Sequence, residues 1–73
     1  IATDHAPHTL EEKAKPYPDH PAGLPLIQHS LLVLLDFYLK GELSLETIAE
    51  KTSHAVANIY DIKDRGFIRE GYW

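Results

Sequence analysis

Apolar residues gather in one stretch and thin out on either side of it. Leu26, Ile27, Leu31, Leu34, Leu35 and Tyr38 recur at the three-and-four spacing of a helix. Val33, Phe37 and Leu39 widen that stripe until the segment is apolar nearly all round. Pro25 suits a first helical turn and Gly41 a C-terminal cap, so the pattern predicts one long helix over 25–39. Ser44 then caps a helix over about 45–52, with Leu45, Ile48 and Ala49 facing inward. Thr52 or Ser53 caps a third over about 54–60, with Ala55, Val56, Ile59 and Tyr60 inward. Asp64-Arg65-Gly66 and Glu70-Gly71 are turn signals around a short strand, Phe67-Ile68-Arg69.

Ahead of the long helix the pattern changes. Ile1-Ala2-Thr3 has the composition of the end of a buried strand. Residues 5–23 carry Pro7, Pro16, Pro18 and Pro21, each lacking a backbone donor and fixing φ, and so read as a loop. Within it Thr9 can cap one turn of helix, with Glu12 at the capping-box position. Loops of this length in compact domains are usually functional or disordered. The chain as it stands therefore reads as mainly α: a long loop, one long helix, two short helices and a short β tail.

Composition narrows the classes. Seventy-three residues allow one domain at most, with a small core, since a chain this short buries only about 60% of its unfolded surface. No cysteine is present, so no disulfide framework compensates, and a reducing compartment is compatible. A net charge of -4 with scattered Lys and Arg argues against nucleic acid. The apolar run Leu31–Leu35 is far short of the roughly 20 residues that span a bilayer. A helix apolar on every side, in a chain this small, implies cover from a larger body or from another copy. The absence of Met and the ending just after Gly71 lead us to expect a piece of a longer polypeptide.

The chemistry is concentrated in Asp4-His5-Ala6-Pro7-His8-Thr9. A carboxylate at a strand's carboxyl end can bind a cation or carry a proton; equally, Asp4 can only close an Asx turn. Asp4, His5 and His8 could together hold a metal ion, although a full site needs three or four ligands and the spacing is not that of a helical zinc motif. His8 could instead donate to an anionic substrate, or be a surface loop residue. Pro21-Ala22-Gly23 is the second candidate. Gly23 permits positive φ and a close main-chain approach to a ligand, or simply turns the chain into the helix. His20, His29 and His54 are isolated and read as structural.

Thr3-Asp4-His5-Ala6-Pro7-His8-Thr9, with Glu11-Glu12-Lys13, resembles the signature of the dihydroorotase family of amidohydrolases. Gly41-Glu42-Leu43-Ser44-Leu45 and Ser53 to Tyr60 resemble the family's G-x-L-S-L and S-x-N-P-A-x-I-F-G-L stretches. Asp64 to Tyr72 resembles its K-G-x-I-x-x-G-x pattern, which precedes an A-D-L-V strand. The later motifs are shared with hydantoinases and allantoinases, the alternative reading; a small self-associating helical module is another.

The resemblance implies a metal-dependent (β/α)8 barrel with a small β-domain. Residues 1–60 would be the end of the last barrel strand, its catalytic loop and the C-terminal helices. Residues 61–73 would open a β segment. The implied activity is the reversible interconversion of N-carbamoyl-L-aspartate and L-dihydroorotate in pyrimidine synthesis, in the cytoplasm, by a homo-oligomer using two zinc ions. Asp4 would ligate the more buried zinc and carry the proton to the leaving amide nitrogen. His8 would hold the substrate carboxylate, and the Ala22-Gly23 backbone would bond the ring. The remaining ligands, an H-x-H pair, a carboxylated lysine and two histidines, would lie upstream together with a substrate-gripping arginine. The expectation is thus that the 73 residues alone are inactive and hold no zinc. Three departures stand out: Leu24-Pro25-Leu26 where a Glu-Thr pair is common, His54-Ala55-Val56-Ala57 in place of Asn-Pro-Ala, and Asp61 in place of Gly.

Overall fold

The computed structural model describes residues 1–73 and is mainly helical, without a sheet. It divides into two compact units, Thr3–Val33 and a larger one made of Ile1–Ala2 with Leu34–Trp73.

In the first unit, α1 (Leu10–Lys13) is a single turn fixed by its cap. The Thr9 hydroxyl accepts the Glu12 N–H at 3.1 Å, and the Glu12 carboxylate accepts the Thr9 N–H at 2.8 Å. This is the expected capping box, which satisfies two otherwise orphaned donors. The loop is closed by two further contacts. Lys13 donates its ammonium to the Pro21 carbonyl at 2.8 Å, and Ala6 N–H bonds the Leu24 carbonyl at 3.1 Å. His5 and Leu24 thereby form an isolated parallel bridge.

The expected strand over Ile1–Thr3 does not form. Ile1 is exposed, and its amino group donates to the Lys51 carbonyl at 3.0 Å. The long helix also starts later than its apolar pattern indicates. Leu26 N–H returns to the Leu24 carbonyl at 3.0 Å, closing a tight turn around Pro25, and His29 N–H returns to Leu26. These bonds commit the backbone of 24–29 to turns, so α2 spans Ser30–Leu39.

The C-terminus of α2 follows its expected cap. Gly41 at φ +74 turns left-handed, its N–H bonds the Tyr38 carbonyl at 2.9 Å, and Glu42 N–H bonds Phe37 at 3.0 Å. That is a Schellman ending, in which glycine avoids the cost of a Cβ. No residue of α2 is buried; Leu31, Leu32, Val33 and Phe37 all face solvent.

Ser44 caps α3 (Leu45–Ala49) as expected, accepting the Thr47 N–H at 3.1 Å. The two short helices, however, are not separated. A π-helical turn, Glu50–His54, joins α3 directly to α4 (Ala55–Ile59). Neither Thr52 nor Ser53 caps. The Thr52 hydroxyl bonds back to the Ile48 carbonyl at 2.7 Å, and the Ser53 hydroxyl donates to the Gly66 carbonyl at 3.0 Å. With both side chains so used, nothing breaks the helix, and one widened turn carries the register through.

The buried hydrophobic residues are Ile48 and Ala57, one on each side of that turn. A Cβ on Gly66 would come within 2.4 Å of the Ala57 Cβ, so glycine is needed where the tail crosses α4. Leu45, Ile59 and Tyr60, expected inside, are exposed. The expected strand 67–69 does not form: Phe67 lies in a bend, Ile68 and Arg69 have no regular structure, and Ile68 is wholly exposed. Phe67 stacks on His54 at 4.3 Å between ring centroids, and the Arg69 guanidinium lies 4.8 Å from the Phe67 ring.

Candidate functional site

All the residues singled out by sequence for catalysis or binding lie in the first unit. Asp4 adopts φ +47, the left-handed region, where Asp and Asn are the tolerated non-glycine residues. Such backbone is held only by its surroundings and is commonest at functional positions. Here the next residues supply the hold, through the His5–Leu24 bridge and the Ala6–Leu24 hydrogen bond.

His5 is used internally. Its Nδ1 accepts the Ile27 N–H at 3.3 Å, which places the proton of a neutral ring on Nε2. A nitrogen engaged in this way is not available to a cation. No group of three or more His, Asp or Glu side chains that could hold a metal ion is present. Asp4, His5 and His8 therefore do not make a metal site within this chain, and the donor set here does not fit a zinc ion.

His8 faces the first turn of α1, with Nδ1 3.7 Å from the Glu12 carboxylate. That carboxylate also receives the Thr9 hydroxyl at 3.2 Å. The backbone N–H of Thr9, then its hydroxyl, and more weakly the charge and hydrogen bonding of His8, hold Glu12 below the usual carboxylate range. Sequence reasoning gave Glu12 a capping role only. The signal for a second role was the four-residue separation from His8, the spacing at which side chains on one helical face meet.

Gly23 has φ +115, and a Cβ there would lie 2.4 Å from the Ala6 Cβ and 3.1 Å from the Ala6 carbonyl oxygen. The space a side chain would take is thus filled by the Ala6 methyl and the Ala6 backbone. This brings the Ala22-Gly23 segment against the middle of the Asp4–His8 loop, leaving Ala22 exposed. The Gly23–Ala6 contact joins these two sequence features into one local unit.

An Asp-His loop braced by a glycine turn is the arrangement from which a hydrolase could present one acid-base group and one anion-binding group. Comparison with known proteins is specific about the kind. The dihydroorotase of Methanosphaera stadtmanae is 43% identical over 72 residues, covering 99% of this chain and 17% of its own length. That of Methanothermobacter thermautotrophicus is 42% identical over 71 residues, covering 97% of this chain and 16% of its own. That of Clostridium acetobutylicum is 37% identical over 73 residues. By sequence this chain is similar to dihydroorotases over nearly its whole length, and it spans about one sixth of the length of the curated relatives it matches. No family model and no solved structure matches it.

Proposed function

We propose that the chain is the part of a dihydroorotase that brings the acid-base carboxylate and a substrate-holding loop to the active site of a longer polypeptide. The observation that supports this most is the bracing of the Asp4–His8 loop by Gly23, within a segment matched by dihydroorotases almost end to end. Residues 1–60 would complete a (β/α)8 barrel, and 61–73 would begin a small β-domain.

In the hydrolytic direction, a water oxygen bonds to the ring carbonyl carbon of L-dihydroorotate, the carbon–nitrogen bond breaks, and the nitrogen takes a proton to give N-carbamoyl-L-aspartate. Asp4 takes the water's proton and returns it to that nitrogen, a role worth about 10²–10⁴ in rate. His8 holds the exocyclic carboxylate, and the Ala22 and Gly23 backbone bonds the ring amide. Zinc, which the resemblance implies, polarises a carbonyl and activates water when bound. Asp4 would be one zinc ligand; since it stands without two further donors here, the remaining ligands would come from outside these 73 residues, and the isolated chain would be inactive.

The test is an assay of the longer polypeptide containing this segment against L-dihydroorotate, a hydantoin and allantoin. Turnover of dihydroorotate well above the other two is expected. A preference for hydantoin or allantoin would move the assignment to those cyclic amidohydrolases. A cytoplasmic location accompanies this reading; no helix in the chain is long and apolar enough to cross a membrane.

A second reading concerns the isolated chain. With no buried residue on α2, the 73 residues by themselves would self-associate through that helix.

A further inference from the structure

We propose that Glu12 is a positioning residue for substrate binding: its carboxylate holds the Nδ1 edge of His8 so that Nε2 is presented to the substrate's carboxylate. The inference rests on the reading of His8 as the group that holds that carboxylate.

Three observations carry it. Glu12 Oε2 lies 3.7 Å from His8 Nδ1 and is the acidic atom paired with that ring. The same oxygen is fixed from behind by the Thr9 N–H at 2.8 Å and the Thr9 hydroxyl at 3.2 Å, so it is a rigid anchor and not a free side chain. The neighbouring cation, Lys13, donates to the Pro21 carbonyl and so does not neutralise Glu12.

The two ring nitrogens lie on different edges of the imidazole, so a partner on Nδ1 fixes where Nε2 points. With the Glu12 carboxylate beside the Nδ1 edge, the Nε2 edge is the one left to meet the substrate carboxylate. The capping box thus has two uses. It starts α1, and it sets the direction of the residue just before it.

The test is Glu12→Gln in the longer polypeptide, beside His8→Ala and the double variant, with kcat and KM measured for both substrates. Glutamine still supports a capping box, so α1 and the fold are kept. Glu12→Gln is expected to raise KM about tenfold with kcat within about twofold, the pattern of lost binding and not of lost chemistry. In the His8→Ala background the same change is expected to do nothing further. If His8→Ala raises KM and Glu12→Gln does not, the Glu12 inference alone is wrong. An undiminished Glu12→Gln effect in the His8→Ala background also overturns it, by making Glu12 merely structural. If His8→Ala leaves KM unchanged, the reading of His8 falls and the inference falls with it.

Discussion

Three aspartates, Asp4, Asp61 and Asp64, hold positive φ. Asp61 ends α4. Its N–H reaches the Asn58 carbonyl at 3.4 Å, and Ile62 N–H reaches Ala57 at 2.9 Å, which is the same Schellman ending that Gly41 makes for α2. Sequence alone flagged Asp61 as standing where a glycine is usual; the φ of +49 gives the physical reason for that glycine. Asp61→Gly is expected to stabilise the longer polypeptide by about 0.5–1 kcal/mol, read as a higher denaturation midpoint. Gly23→Ala has the opposite sign. It combines positive φ with a Cβ 2.4 Å from Ala6, and should cost about 1–3 kcal/mol and remove exchange protection from the Ala6 amide. Glu12 adds a pH dependence. Its folded pKa lies below the ordinary value of 4.5, so its contribution to α1 is complete above 4.5 and is lost as pH falls through the lower folded value. The Thr9 amide resonance should report that loss below pH 4.5, and Glu12→Gln should abolish the titration.

At the scale of elements, local chemistry was legible and tertiary chemistry was not. The Thr9, Ser44 and Gly41 caps are set by neighbours within a few residues, and all three form as the sequence indicates. Ser44→Ala should therefore cost α3 about 1 kcal/mol, seen as reduced helical ellipticity. The start of α2 was misplaced because the turn around Pro25 is tied to His5, whose Nδ1 takes the Ile27 N–H from 22 residues away. No periodicity carries that information. The break expected at Thr52 and Ser53 failed for a related reason. Both residues are good caps, but the Ser53 hydroxyl is claimed by Gly66, 13 residues on. The strand at 67–69 lacks a partner, and a lone strand leaves its backbone groups to turns and water. For the site, the Asp4–His8 cluster and Gly23 were visible as residue types. That Gly23 serves to admit Ala6, and that His5 is occupied, depend on contacts between residues 17 and 22 positions apart, which no local pattern carries.

The whole molecule has too little interior for its apolar surface. Ile48 and Ala57 are its buried hydrophobic residues, while the most apolar helix has none. This is what a segment one sixth the length of its relatives should look like. The 73 residues alone are expected to scatter light as a species heavier than the monomer, and Leu32→Glu, on exposed α2, should shift that mass downward. Calorimetry with zinc should show no binding tighter than about millimolar, since no three donors gather. The central claim, that this chain contributes the proton-carrying carboxylate of a dihydroorotase, is tested most directly by one rate. That rate is dihydroorotate hydrolysis by the longer polypeptide with Asp4→Asn, beside the unaltered protein. A fall of at least about a hundredfold with the fold retained is the predicted result; hydrolysis at the unaltered rate would contradict the account.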